Sequence, residues 1–382
     1  MKKAIVSTFY PSKGGVATYT KYLYDELSKI DQDIIILSDK IKDNPKEGKN
    51  IIRCWDHNPK YIFQVFNQII KNKIKVIHIQ QELHLFGGKV SAFLLPLLIF
   101  LLRSFNKKVI ITLHGVVPLK KVTKEFMKEN GYEGNKFITK VGLNILYSSL
   151  CLASNKIIVH EKKLKEYLKD YLVNTKKVVV IGHGINEIKK LIPKDIAKEK
   201  LKIDNKYTFL YFGYITGYKG IELLISALKE IKEKDFNFII IGSPHPRLKE
   251  TKKYSEYYNK LKKYFENDKR CKFFGYVPEK DVNYYFRASD CAVFPYSIQM
   301  SSSGPMALAL ANDNLIIASD AFQGFIPNNL LFKKTSESLI EKINEAIENK
   351  LSKNKLNKLK NSLLWQKIAK KTIGVYKLWK KL

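Results

Sequence analysis

Hydroxyls, glycines and a lysine set just ahead of a helix have one obvious chemistry in common, the binding of phosphate. Three stretches of this 382-residue chain offer it. In PYSIQMSSSGPMALALA, Ser301, Ser302 and Ser303 supply hydroxyls, and Gly304 lets backbone N–H groups come close to a ligand. Pro305 suits the first helical position, where its missing N–H costs nothing. The apolar run behind it predicts a helix whose positive end faces the loop, a cradle for a diphosphate. Plain N-capping by serine is the bland alternative. In FGYITGYKG, Gly213 closes an apolar run, and Lys219 stands where the next helix opens, a cation beside unpaired N–H groups. Lys13-Gly14-Gly15-Val16 follows the first apolar run. Its glycines permit close backbone approach, but a full GxGxxG is absent and a tight turn explains them equally well.

Three histidines also close apolar runs: His114 in TLHG, His160 in IVHE and His183 in IGHG. A histidine at a strand end is more often a structural hydrogen-bonder than a catalyst. His114 is the candidate for chemistry, because the first half of the chain needs a polar group facing a ligand. Nothing matches HExxH, a nucleophile elbow, a Walker A loop or a protein-kinase set. Cys54, Cys151, Cys271 and Cys291 are scattered, which argues against a zinc site or a disulfide framework.

The elements that must hold these loops alternate in kind. KKAIVSTF, DIIILSD, KVIHIQ, KVIITLHG, KIIVHE and KVVVIGHG are continuous apolar runs, as strands buried on both faces of a parallel sheet require. Helical periodicity fills the gaps, beginning with a helix over 17–29. The pattern restarts after a Lys-rich stretch near 187–205 with YTFLYFG, FNFIIIGS, CKFFGYV, DCAVFPY and NLIIASD. The expected architecture is α/β, with two Rossmann-like, doubly wound domains facing across a cleft. They span 1–190 and 191–362. A basic amphipathic helix over 363–382, carrying Trp365, Tyr376 and Trp379, is expected to pack back on the first domain.

A hydrophobic share of 45% indicates a globular chain and excludes a mainly disordered one. The net charge of +32 is almost all lysine. Lysine acts as a point charge, whereas reading base edges favours the bidentate fork of arginine. The charge therefore suits small phosphates and an anionic membrane surface better than nucleic acid. Ala92–Leu102, AFLLPLLIFLL, reads as a core helix. Its rival is a shallow membrane-dipping helix flanked by Lys89, Arg103, Lys107 and Lys108. The opening MKKAIVSTFYPS lacks a long apolar core, so the expected location is the cytoplasm.

Taken in order, these pieces resemble the group 1 glycosyltransferase family, the retaining nucleotide-sugar transferases of GT-B fold. Gly14, Gly15 and Tyr19 match a GGxxxY-type loop, and Thr112, Leu113, His114 and Gly115 match a THG-like strand end. Ile181, His183 and Gly184 match IxHG. In the second half Phe212, Gly213, Lys219 and Gly220 match an FGR then KG pattern, and Gly242 ends an IxG strand. Phe274, Gly275, Tyr276 and Val277 match FLGxV, and Trp365, Ile368, Ala369 and Tyr376 match the family's C-terminal pattern.

The resemblance implies the following roles. Lys219 and His114 are catalytic. Gly213, Lys219, Gly242, Gly275, Tyr276, Val277 and Ser301–Gly304 bind the donor, and Gly14, Gly15, Tyr19 and His114 face the acceptor. The donor is a nucleotide sugar acting as co-substrate, with no other cofactor and no metal. The acceptor is a saccharide or a lipid-linked intermediate at the inner membrane face, so the resemblance implies a cytoplasmic chain peripheral on that face. Three departures stand out. Two family glutamates fall at Met300 and Leu308, and the arginine of FGR is Tyr214. They keep open a non-catalytic scaffold of the same fold, with a basic polyanion binder as a weaker alternative.

Overall fold

A computed structural model of the chain describes residues 1–12, 14–42, 48–129, 134–171, 173–231, 235–245 and 248–377; Lys13, Arg247 and Trp379 lie outside them. The first domain runs β1 (Lys3–Val6), α1 (Gly15–Ile30), β2 (Ile34–Asp39), β3 (Ile51–Trp55), α2 (Tyr61–Lys71), β4 (Val76–Gln81), α3 (Lys89–Ser104), β5 (Lys108–Leu113), α4 (Lys124–Glu129), α5 (Lys136–Ala153), β6 (Lys156–Val159), α6 (Lys162–Leu168) and β7 (Val178–Val180). The second runs α7 (Lys194–Leu201), β8 (Tyr207–Ile215), α8 (Ile221–Glu230), β9 (Phe236–Pro244), α9 (Lys252–Asn267), β10 (Cys271–Phe274), α10 (Glu279–Ala288), β11 (Cys291–Phe294), α11 (Gly304–Ala311), β12 (Leu315–Ser319), β13 (Leu331–Phe332), α12 (Ser336–Ile347) and α13 (Asn354–Ser362). α14 (Trp365–Lys377) follows.

Among the described residues the strands form two parallel sheets, ordered β3-β2-β1-β4-β5-β6-β7 and β10-β9-β8-β11-β12-β13. A parallel sheet needs both faces covered, and the side chains divide with period two. On β1, Ala4 and Val6 join one apolar cluster and Ile5 the other; on β5, Val109 and Ile111 oppose Ile110. Strand order reverses between β1 and β4 and again between β8 and β11. The loops flanking each reversal diverge to opposite faces and leave a crevice at the carboxyl edge of the sheet. The Gly14–Gly15 loop follows β1. The Gly213–Gly220 and serine-rich loops follow β8 and β11, so both flank the reversal of the second sheet.

α14 lies along α1 on the first domain. Tyr376 hydrogen-bonds through its hydroxyl to Nδ1 of His78 on β4 (2.7 Å), and Lys108 donates to the Tyr376 carbonyl (2.9 Å). Gly184 makes room for the start of this helix: a Cβ there would stand 2.1 Å from the Trp365 ring. Among the described residues no helix is long and apolar enough to cross a membrane.

Candidate active site

At the carboxyl edge of the second sheet three neighbouring strands carry glycine. Gly213 on β8 pairs with Gly242 on β9, and Gly275 follows the pairing of Phe274 with Ile241. The space a side chain would take is filled at Gly242 by Ile215 (2.6 Å), whereas a Cβ at Gly275 would have only the Tyr258 hydroxyl near it, at 3.8 Å. Tyr276, 77% exposed, stands at the end of this edge with Val277 buried beside it. Gly213 has φ +148°, and a Cβ there would meet Lys219 Nζ at 2.5 Å. Gly220 is left-handed, and a Cβ would run into the Pro295 carbonyl at 1.8 Å. Both glycines are required by this packing.

Lys219 ends the short turn between β8 and α8 and is only 8% exposed. Its Nζ lies 5.3 Å from the centroid of the Tyr296 ring, and no described residue offers it a carboxylate or a hydrogen-bond acceptor. Burial pushes its pKa down. A buried ammonium without a counter-charge is costly, and an anion relieves it. Tyr296 also bridges to the serine loop, its hydroxyl 3.4 Å from Ser303 Oγ. Ser303 caps α11 by accepting from the Met306 N–H (3.3 Å), and Pro305 occupies the first turn. Gly304 is exposed, with open space where a Cβ would stand. Lysine and helix start therefore flank one tyrosine at the β8/β11 reversal.

The first domain closes over the other side of this turn. Gly115 and Ser301 form an antiparallel bridge, and Val116 N–H donates to the Met300 carbonyl (2.9 Å). Gln299 donates to Glu161, which burial pushes up to about 8. Between Ser302, Ser303, Glu161 and His183 only about 10 Å³ remains, room for one water. A larger cleft of about 400 Å³ lies beside the seam, lined by Gly14, Gly15, Gly115, Thr216, Tyr218 and Ser301 among others. A ligand reaches the inner side of the serine turn only when the seam opens.

His114 does not present a free ring nitrogen to the cleft. Its Nε2 meets the Gln80 side chain (2.8 Å) and its Nδ1 meets His160 Nε2 (3.3 Å). His160 Nδ1 binds the Ile181 carbonyl (3.0 Å) and must carry a proton there. The Gln80 atom that meets His114 is Oε1, an acceptor, so His114 Nε2 carries the proton and donates there, while Gln80 Nε2 faces His78 Nε2 (3.2 Å). Burial pushes both imidazoles down, His160 to about 3. Tyr19 lies edge-on to His114 and also touches His160, His183 and Trp365. Through these bonds His114 is tied to Gln80 on β4 and to His160 after β6 at the end of β5 that carries Gly115. Gly14 and Gly15 do line the cleft, and Tyr19 sits behind them.

Sequence reasoning missed several residues here. Tyr296 carried no motif. Asp39 is buried and accepts from Ser12 Oγ (2.8 Å), Ser38 Oγ (2.7 Å) and the Phe9 N–H (3.3 Å). His57 lines the cleft, bonded to Asp39 (3.3 Å) and to the Leu85 carbonyl (3.1 Å). The bond to Asp39 holds its pKa up. This pair ties down the loop after β1.

Residues 193–362 match the family described as Glycosyl transferases group 1, and residues 13–188 match Glycosyltransferase Family 4. The chain belongs to the group 1 glycosyltransferase family. Group 1 transferases and their structural neighbours share its architecture. The sucrose-phosphate synthase of Thermosynechococcus elongatus superposes with a TM-score of 0.77 at 17% identity, over 99% of each chain. Anabaena Alr3699/HepE in complex with UDP-glucose gives 0.70 at 13%, over 98% of this chain and 99% of that one. These likenesses establish the GT-B fold. The lipopolysaccharide 1,2-N-acetylglucosaminetransferase of Salmonella typhimurium is 24% identical over 239 residues, 59% of this chain and 62% of that protein. Where group 1 members often place two glutamates, this chain has Met300, held at the seam by its carbonyl, and Leu308, half-buried against the core.

Proposed function

We propose that this group 1 glycosyltransferase moves a sugar, with retention, from a nucleoside-diphosphate donor to a saccharide or lipid-linked acceptor at the cytoplasmic membrane face. The observation that carries the reading is Lys219, a buried cation that no carboxylate or hydrogen-bond acceptor meets among the described residues, beside the open start of α11. As the bond from sugar C1 to phosphate lengthens, negative charge grows on the leaving diphosphate. Lys219 and the N–H groups at Gly304 and beyond stand ready for that charge before it forms. The sheet edge at Gly213, Gly242 and Gly275 takes the nucleoside, with the base near Tyr276 and Val277. Charge compensation comes from protein groups, and the reading calls for no metal. The sugar, oxocarbenium-like in the transition state, faces the Gly14–Gly15 loop across the cleft, where the acceptor enters. Closing the seam over the bound donor expels water and protects it from hydrolysis.

The names of the relatives point the same way: one is a lipopolysaccharide glycosyltransferase, and another was captured with UDP-glucose. Incubating the full chain with UDP-, GDP- and ADP-sugars plus lipid-linked saccharides tests the reading. It expects consumption of one donor class and a product with the donor's anomeric configuration. Inversion would remove the retaining mechanism. Met300 and Leu308 favour a second reading, a non-catalytic scaffold; it expects no donor consumption at all.

A further inference from the structure

We infer that the outer faces of α3 and α5 form one apolar surface that docks on an anionic lipid bilayer. A helix on a sheet normally buries one stripe and shows water a polar one. α3 buries Leu95, Leu98, Ile99 and Leu102, yet its opposite stripe is Val90, Phe93, Leu97 and Phe100, with Phe100 64% exposed. α5 repeats the anomaly. It buries Leu146, Leu150 and Cys151 and exposes Ile138, Val141, Ile145 and Leu152, the last 78% exposed.

The two stripes are continuous. Gly142 admits the Phe93 ring so closely that a Cβ would stand 3.3 Å from it. Further along, Leu97 and Phe100 face Leu152 across a groove of about 620 Å³. Isolated exposed apolar residues need no explanation, but a surface built from two whole helices does.

Its charged border selects the partner. Lys89 opens α3, and Lys136 and Lys140 lie in the first turns of α5. At the other end Arg103 donates to the Ala153 carbonyl (3.1 Å), and Lys177 donates to those of Leu152 and Ser154 (3.2 and 3.1 Å). From residue 89 to 124, and from 134 to 160, the sequence has no Asp or Glu. A second copy laid on this face would set these basic borders against each other. An apolar face bordered by these cations matches the interfacial zone of an anionic membrane.

α5 also joins this face to the cleft. Its inward side supplies Tyr147, which lines the cleft and reaches the Gly115 carbonyl (3.4 Å). The cleft mouth then lies about one helix diameter, roughly 10 Å, from the bilayer surface. Only this use of the surface depends on the transferase reading; the docking does not.

The test is co-sedimentation of the full chain with phosphatidylcholine vesicles and with vesicles containing equal phosphatidylglycerol. The chain should bind the anionic vesicles and not the neutral ones. Phe100→Ser with Leu152→Ser should weaken binding at least tenfold, with thermal stability and nucleotide binding in vesicle-free solution unchanged. Lys136→Gln with Lys140→Gln should weaken it most at low salt. The inference is overturned by absence of binding to anionic vesicles, or by equal retention of the Phe100/Leu152 variant. It is equally overturned if lipid-free chain forms a concentration-dependent dimer that this variant abolishes. Nucleotide binding is read without vesicles, so docking and transferase activity can each fail alone.

Discussion

Glu161→Gln gives a quantitative handle on the domain seam. Glu161 is 4% exposed, bonded to Gln299 across the seam, with its carboxyl raised to about 8 by burial. In the unfolded chain it titrates near 4.5. A folded pKa above the unfolded one contributes stability that is complete below about pH 4.5 and drains away as pH rises to 8. Each pH unit inside that window costs about 1.4 kcal/mol. Between pH 6 and pH 8 the loss is therefore roughly 2–3 kcal/mol, levelling off above 8. Glutamine has the shape of the protonated acid, keeps an acceptor for Gln299 and never ionises. Thermal unfolding of both proteins from pH 4.5 to 9 should show similar stability at pH 4.5 and a gap that opens in favour of Glu161→Gln, about 2 kcal/mol at pH 6 and about 4 kcal/mol by pH 8. Parallel curves across that range would refute the reasoning, because they would mean that the carboxyl is already ionised in the folded chain.

Two further perturbations follow from the same geometry. Gly213→Ala forces a side chain onto the place of Lys219 Nζ at a backbone angle that favours glycine; we expect loss of nucleotide binding by calorimetry and a destabilisation of about 1–3 kcal/mol. The buried histidines set an acid limit. Burial lowers His78 and His160 to about 3 and depresses His114 and His183 as well. The unfolded chain takes up protons below about pH 6.5, so stability should fall as pH drops from 6.5 towards 3. His160→Asn should flatten that limb in thermal unfolding, and an unchanged slope would assign it elsewhere.

The parts of this fold that were legible are those fixed by local sequence. KVIITLHG and FNFIIIGS disclose β5 and β9 because strands buried on both faces are apolar at every position. β3 escaped because its IIRCW is an edge strand whose Arg53 turns back to the Tyr10 carbonyl (2.7 Å), and β13 because it is two residues long. Lys219 and Ser303 could be read because a cation or hydroxyl at a helix start acts within a few residues. Glu161–Gln299, 138 residues apart, and Asp39–His57, 18 apart, exist only once the domains and loops have assembled. His114 shows what a motif alone leaves out. Its motif was plain, but the tertiary chain through Gln80 and His160 consumes both ring nitrogens. The apolar run in α3 was visible too, whereas its exposed side and the matching side of α5 required the fold.

Calorimetric titration of UDP, GDP and ADP into the full chain and into Lys219→Met tests the pyrophosphate site most directly. One of the three nucleotides should saturate a single site per chain. Lys219→Met should weaken it at least tenfold while leaving the melting temperature of the ligand-free protein no lower, since the change removes a buried cation that no carboxylate meets among the described residues. Binding of none of the three, or equal binding by both proteins, would contradict a diphosphate held between Lys219 and the start of α11.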